Sequence, residues 1–249
     1  MHSCTDDWNR HWRSYAESAA RNPAQEYRRR LILSLLSANG DPQRVLDVGA
    51  GTGDLAHSIR QTFPDAEILG LDVSAEGLEV ARRKVPDAVF LERDLLQAGS
   101  PPDAFRGWAS HAVCSEVLEH VDDPERLLAN AIPYLAPGCL VVVTVPGGPM
   151  SAFDRHIGHR RHYRPAELRE LLERVGLVPE WATGAGFPFF NVYRLVVILR
   201  GRRLIEDAGA GSTGIAARAA MRLFGLLFRL NADASPWGWQ TIARARLSH

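Results

Sequence analysis

The segment VLDVGAGTGDL, residues 45–55, decides the fold. RVLDVG (44–49) reads as a buried strand and DLAHSIRQTF (54–63) as a helix. Between them stand Gly49, Gly51 and Gly53. Glycines let the backbone turn tightly and approach a ligand, and the start of the following helix offers free N–H groups just behind. Alone this is a generic nucleotide-binding signal. A dinucleotide fingerprint reads G-x-G-x-x-G, and here the third glycine comes one residue early. Asp47, two residues before the first glycine, would repel a pyrophosphate and suits a ligand with a cationic ammonium group.

Outward from this segment, apolar runs alternate with helical patterns. EILGLDV (67–73), AVFLE (88–92), HAVCS (111–115) and CLVVVTV (139–145) read as strands. AEGLEVARRKV (75–85) and DPERLLANAIPYL (123–135) read as helices, the first capped by Ser74, the second with Pro124 in its first turn. Such alternation means βαβ units and a parallel sheet, an α/β fold. Beyond Pro146 lies a polar segment rich in His and Arg, then a helix from Pro165 to Val175, a strand at 177–183 and a last strand at 238–247. Two very apolar helical stretches, near 189–200 and 214–230, separate those last two strands. PAQEYRRRLILSLL (23–36) is the surest helix of the lead-in.

Each strand end carries polar residues: Asp72 with Val73, Asp94 with Leu95, then CSEVLEHV (114–121). Open α/β sheets bind ligands at their strands' carboxyl ends, and an acid after the second strand can accept both ribose hydroxyls. Loop-capping acids look alike in isolation; four elements in this order favour a cofactor site.

The series VLDVGAGTGDL, LGLDVS, ERDLL and SEVLEHV resembles the four motifs of the class I S-adenosylmethionine-dependent methyltransferases. The likeness covers about residues 44–182 plus the final strand. It implies a Rossmann-like, mostly parallel seven-stranded sheet in the order 3-2-1-4-5-7-6, strand seven antiparallel, with helices on both faces. Residues 44–186 and 236–249 would form the S-adenosylmethionine-binding domain, 1–43 a helical cap and 187–235 a helical insertion. By position, Asp47, Gly49, Ala50, Gly51 and Gly53 would hold the cofactor's amino acid part. Asp72 and Val73 would lie at the ribose, Asp94 and Leu95 at the adenine, and Ser115 and Glu116 beneath the sulfonium. In the family, N-terminal helices close over the cofactor, which makes Tyr15 a further contact.

Within the superfamily the likeness is greatest to small-molecule enzymes, among them ubiquinone-biosynthesis O-methyltransferases and natural-product methyltransferases. The expected reaction is methyl transfer to a small, lipophilic or aromatic acceptor, at oxygen by preference, otherwise nitrogen or carbon. DRHIGHRRHY (154–163) follows strand five on the active-site side, so His159 and His162 are the first candidates for general base and His120 the next. A histidine base would carry an acid limb near its ordinary pKa, about 6.5.

Glu116, Glu119 and His120 match residues that bind a divalent metal in some quinone O-methyltransferases. The set lacks a fourth ligand, and arginines crowd His156, His159 and His162, so no metal is expected. The chain lacks N-P-P-Y and D-P-P-Y and has zero net charge, with 29 basic and 29 acidic residues. Both features disfavour the alternative of a nucleic-acid methyltransferase. A non-catalytic cofactor-binding protein is the third reading. Cys4, Cys114 and Cys139 make no paired framework, the N-terminus lacks a signal pattern, and no run of 18 uncharged apolar residues occurs. A cytoplasmic protein is expected. The inserted helices are too apolar to stand free, so they should line the acceptor pocket, form a homodimer interface or touch a membrane peripherally.

Overall fold

The computed structural model describes residues 8–9, 22–38, 40–97, 99–209 and 215–248, with backbone alone for 202–209 and 215–217. Tyr15 and Cys4 lie outside the described residues.

Seven strands form one sheet: β1 (Arg44–Val48), β2 (Glu67–Asp72), β3 (Val89–Glu92), β4 (Ala109–Ser115), β5 (Leu135–Pro146), β6 (Leu177–Ala185) and β7 (Gln240–Leu247). Their order is β3-β2-β1-β4-β5-β7-β6. The first five pair in parallel, while β7 runs antiparallel to both β5 and β6. This is the topology that the motif series implies.

Both faces of the sheet are buried, which explains the near-continuous apolar runs. Leu46, Leu69, Ala112 and Val143 point to one face, packed on Leu127 and Leu128 of α4 (Pro124–Ala131) and Leu168 and Leu172 of α6 (Pro165–Arg174). Their neighbours Val45, Ile68, Val113 and Val142 point to the other. There they meet Ile32 and Leu36 of α1 (Pro23–Leu36), Ile59 of α2 (Asp54–Thr62) and Leu78 of α3 (Ala75–Lys84).

The sequence pattern carries α4 through residue 135, but the helix stops at Ala131 and β5 begins at Leu135. Pro133 has no N–H to donate and turns the chain into a 3-10 turn instead. A short helix also escapes the pattern: α5 (Ala152–His156), inside the polar segment. Ser151 accepts from the Asp154 N–H and Asp154 accepts from the Ser151 N–H, a reciprocal cap that two short side chains suffice to build.

The insertion forms α7 (Phe189–Gly209), kinked at Gly201, and α8 (Ile215–Leu227). Asn231 closes its base, its side-chain oxygen accepting from the Phe189 and Phe190 N–H groups. Phe190 and Phe228, together with Tyr27 and Leu31 of α1 and Ile242 of β7, make a third core. Part of the insertion's apolar surface is thus covered by α1.

Candidate cofactor and acceptor site

The carboxyl ends of β1 and β4 open onto a cavity of about 250 Å³, roofed by α1 and walled by α5 and α7. Asp47, Gly49, Ala50, Gly51, Ser115, Glu116, His120 and His159 all line it. Gly53, Asp72, Val73, Asp94, Leu95 and His162 do not.

The glycine loop owes its shape to backbone constraints. Gly49, Gly51 and Gly53 have φ of 78°, 52° and 73°, a region that side chains disfavour. A Cβ on Gly49 would meet Val117 Cγ2 at 2.3 Å, and one on Gly53 would meet Ala81 at 2.7 Å. The Gly49 and Ala50 N–H groups donate to Leu71 O, tying the loop to β2. Asp72 takes part in this bracing, since its Oδ2 accepts from the Gly51 N–H and its Oδ1 from the Ser74 N–H, both at 2.8 Å. Each carboxylate oxygen keeps a further acceptor site for a ligand. Asp94 caps its own turn, accepting from the Leu96 N–H, while Leu95 belongs to the core. Asn9 reaches Ser74, at the start of α3, and Trp8 lies edge-on to His120.

Asp47 is 2% exposed and its Oδ2 has no hydrogen-bond partner. Burial, aided by the charge of Asp72, pushes its pKa up to about 7. A cation is what this group lacks.

Glu116 is the single non-glycine residue with positive φ among the described residues, at 56°. Arg28 of α1 holds its Oε2 at 3.0 Å, and Gln240 of β7 donates to its Oε1 at 2.8 Å. Arg28 also donates to Gln240 Oε1, closing a triangle across the cavity wall. Strain held in place by surrounding bonds is characteristic of functional positions. Ser115 pairs with Thr144 at 2.9 Å.

Across the cavity stands a file of titratable groups. His162 Nδ1 is 3.0 Å from Gly148 O, and a carbonyl can only accept, so Nδ1 carries the proton. In the neutral ring Nε2 then accepts, and it lies 3.2 Å from His159 Nδ1, which must donate. His159 Nε2 is left with a lone pair. Burial, and then the positive field of His120, hold the His159 pKa down at about 2, so the ring is neutral at any working pH. The acid limb near 6.5 expected of a histidine base therefore does not belong to His159. His162 is lowered as well, by burial.

Asp154 anchors this file. Arg194 of α7 grips it with two parallel bonds of 3.0 and 2.7 Å, both groups buried. Burial alone would raise the Asp154 pKa, yet the Arg194 fork holds it well below the carboxylate range.

Glu119 is fully buried beside His120, with neither carboxylate oxygen hydrogen-bonded; burial and the nearby Glu116 raise its pKa well above normal. Ligand atoms of Glu119, His120 and His159 lie within 4.8 Å of one another, as do those of Asp154, His159 and His162. Glu116, the third member of the sequence motif, is instead engaged by Arg28 and Gln240. Arg28, Asp154, Tyr193, Arg194 and Gln240 were not singled out from sequence. The pair Ser151-x-x-Asp154 was a legible cap signal, and a basic residue on the buried side of α1 was another.

A glycine cradle at β1, an acid after β2 and this sheet order define the class of protein: the S-adenosylmethionine-dependent methyltransferase fold. Residues 15–180 match the methyltransferase domain family, and the chain belongs to it. It is 30% identical over 187 residues to a ubiquinone biosynthesis O-methyltransferase of Vibrio cholerae, covering 67% of this chain and 74% of that one. It is 36% identical over 133 residues to a demethylmenaquinone methyltransferase of Thermus thermophilus, covering 51% and 57%. It is also 29% identical to a trans-aconitate 2-methyltransferase of Rhodopseudomonas palustris, covering 54% of each. The match thus spans little more than half the length of the latter two.

Among solved structures, the N-methyltransferase NodS of Bradyrhizobium japonicum, in complex with S-adenosylhomocysteine, aligns at TM-score 0.60 and 15% identity, over 98% of this chain and all of that one. The [4+2]-cyclase SpnF aligns at 0.64 and 19% identity, over 96% and 94%. Identities this low speak for the fold alone, and the cyclase shows that the fold serves more than one chemistry. S-adenosylmethionine is the cofactor of the family.

Proposed function

We propose that this protein transfers the methyl group of S-adenosylmethionine to a small, lipophilic or aromatic acceptor, with oxygen as the favoured nucleophile. One observation carries the reading: a glycine cradle with an unpaired buried acid shares a single cavity with a neutral histidine whose lone pair is free. Asp47 would take the cofactor's ammonium group. Arg29, on α1 in the roof of the same cavity and without a carboxylate partner among the described residues, would take its carboxylate. The bound cofactor would supply an electrophilic sulfonium methyl.

The chain's own groups would do the rest. The glycine loop orients the methyl, and the buried walls exclude water and hold the acceptor in line. For a hydroxyl acceptor, His159 Nε2 would accept the O–H hydrogen bond and the proton as the methyl bond forms.

Among the described residues three arginines line the cavity: Arg28 is engaged by Glu116, Arg194 by Asp154, and Arg29 is assigned to the cofactor. None of these three remains for a polyanionic acceptor, which favours an uncharged molecule. A second cavity of about 710 Å³ supports an acceptor with an apolar body. Phe187, Trp237 and Trp239 line it, and so does Gly148, whose carbonyl faces His162. The unpaired, buried Cys114 and Cys139 suit a reducing compartment, so we place the protein in the cytoplasm.

The decisive assay offers methyl-labelled cofactor to separate small-molecule, RNA and protein fractions; label in RNA or protein alone would overturn the proposal. Two substitutions test the residue roles. Asp72→Ala removes a charge-assisted acceptor and loosens Gly51, so affinity for S-adenosylhomocysteine should fall by about 10–150-fold, or roughly 1.5–3 kcal/mol. His159→Ala or His162→Ala should lower kcat and spare cofactor affinity. Unchanged turnover in both would place proton removal elsewhere.

A further inference from the structure

The inserted helices keep two apolar stripes in the open. Val192, Leu195, Val196 and Leu199 stand at helical spacing on α7, and Leu223, Leu226 and Leu230 on α8 and the turn beyond it. These seven side chains are 39–76% exposed. Their exposure is not for want of core. The opposite sides of the same helices already place Phe190 and Phe228 against Tyr27 of α1, and Tyr193 and Phe224 pack on Phe228.

Basic residues border the second stripe. Arg218, Arg222 and Arg229 are exposed, and Arg222 and Arg229 each precede a stripe leucine by one position. None has a carboxylate partner among the described residues. No Asp or Glu occurs in 189–201 or 218–232. The asymmetry extends to the chain: residues 194–249 hold nine arginines against Glu206, Asp207 and Asp233, a net of +6, and the first 193 residues balance it with −6.

We propose that α7 and α8 form a peripheral docking surface for an anionic lipid bilayer, with the leucines seated among the headgroups and the arginines on lipid phosphates. Charge selects this occupant. A second copy docked through a two-fold contact on this face would bring like rows of arginine together, with no acid in 189–201 or 218–232 to receive them. A bilayer rich in anionic lipid accepts the apolar stripe and the cations at once. No helix among the described residues is long and apolar enough to cross a membrane, so the contact is interfacial. Tyr193 and Arg194 sit on the other side of α7, in the wall of the cofactor cavity, so α7 would stand between bilayer and site.

The inference does not depend on the methyl-transfer reading, and its test needs no acceptor. The full chain is floated with vesicles of phosphatidylcholine alone or with about 30% phosphatidylglycerol. Partitioning into the anionic vesicles should be at least about tenfold stronger and should fall by about tenfold in 1 M salt. Arg218→Glu/Arg222→Glu/Arg229→Glu should lose the preference, and Leu223→Ser/Leu226→Ser/Leu230→Ser should lose binding to both. Unchanged S-adenosylhomocysteine affinity shows that each variant is folded. Wild-type protein that ignores both vesicles, or binds both equally, overturns the proposal. So does a wild-type dimer in light scattering that the leucine variant turns into a monomer, since the face would then belong to a second copy.

Discussion

Affinity for S-adenosylhomocysteine is expected to fall by up to about tenfold for each pH unit below 7 and to be flat above it. The group responsible is Asp47, whose pKa stands at about 7 because it is buried next to Asp72. The sign follows from its two forms. The ligand's ammonium group binds the ionised carboxylate. Below pH 7 the free protein carries a proton there, which must leave before the ion pair can form. The same shift weighs on the free fold. A buried acid with a raised pKa holds its proton between the ordinary carboxylate range and about 7, so ionising it costs stability as pH rises through that window. Ligand binding reverses the cost by supplying the missing cation. Calorimetry at about pH 6 in two buffers of different ionisation enthalpy should count close to one proton released, falling to about half a proton near pH 7. Asp47→Asn should bind more weakly at pH 8 and lose the pH dependence altogether. Wild-type affinity that is level from pH 8 to pH 5.5 would remove Asp47 from the cofactor site.

Arg194→Ala should be the most destabilising single substitution at the site, by about 3–5 kcal/mol, because it strands a buried charge. Asp154 is 1% exposed and takes both arms of the Arg194 guanidinium. Urea unfolding at pH 7 is the measurement. Asp154 is held low in the wild type, so the pair's contribution is complete above the ordinary carboxylate range and is lost as pH falls through and below it. The gap between wild type and variant should therefore narrow below about pH 4. Arg194→Lys keeps the charge and loses the fork, and should fall between the two. A loss under 1 kcal/mol in Arg194→Ala would mean that water reaches Asp154 and that α7 is not latched to the segment bearing His159.

The residues that were legible in sequence are those whose chemistry is local. Gly49, Gly51 and Gly53 must be glycine because of their own φ values, and a tight strand-to-helix turn leaves that mark on any chain that makes it. Alternating apolar runs reported strands buried on both faces, and acids closing each run reported the ligand-binding end of the sheet. The pattern fails where one or two residues override it: Pro133 breaks the helix at 123–135, and two short side chains build α5 within a segment that reads only as polar.

Only the tertiary structure decided what the polar groups do. Asp72 was assigned to a ribose from its position after β2, but it also holds up the glycine loop through Gly51, twenty-one residues earlier. Glu116 was placed beneath the sulfonium; Arg28 and Gln240, from opposite ends of the chain, determine how it is held. The histidines at 156, 159 and 162 looked alike, yet a single carbonyl, Gly148 O, orients His162 and through it His159, while burial removes the expected titration. The physical reason is range. Backbone conformation and apolar periodicity are imposed by neighbours in sequence, so sequence records them. A hydrogen-bond partner, a buried counter-charge or a pKa depends on which distant segments the fold brings within a few ångströms, and that order is absent from the chain until it closes.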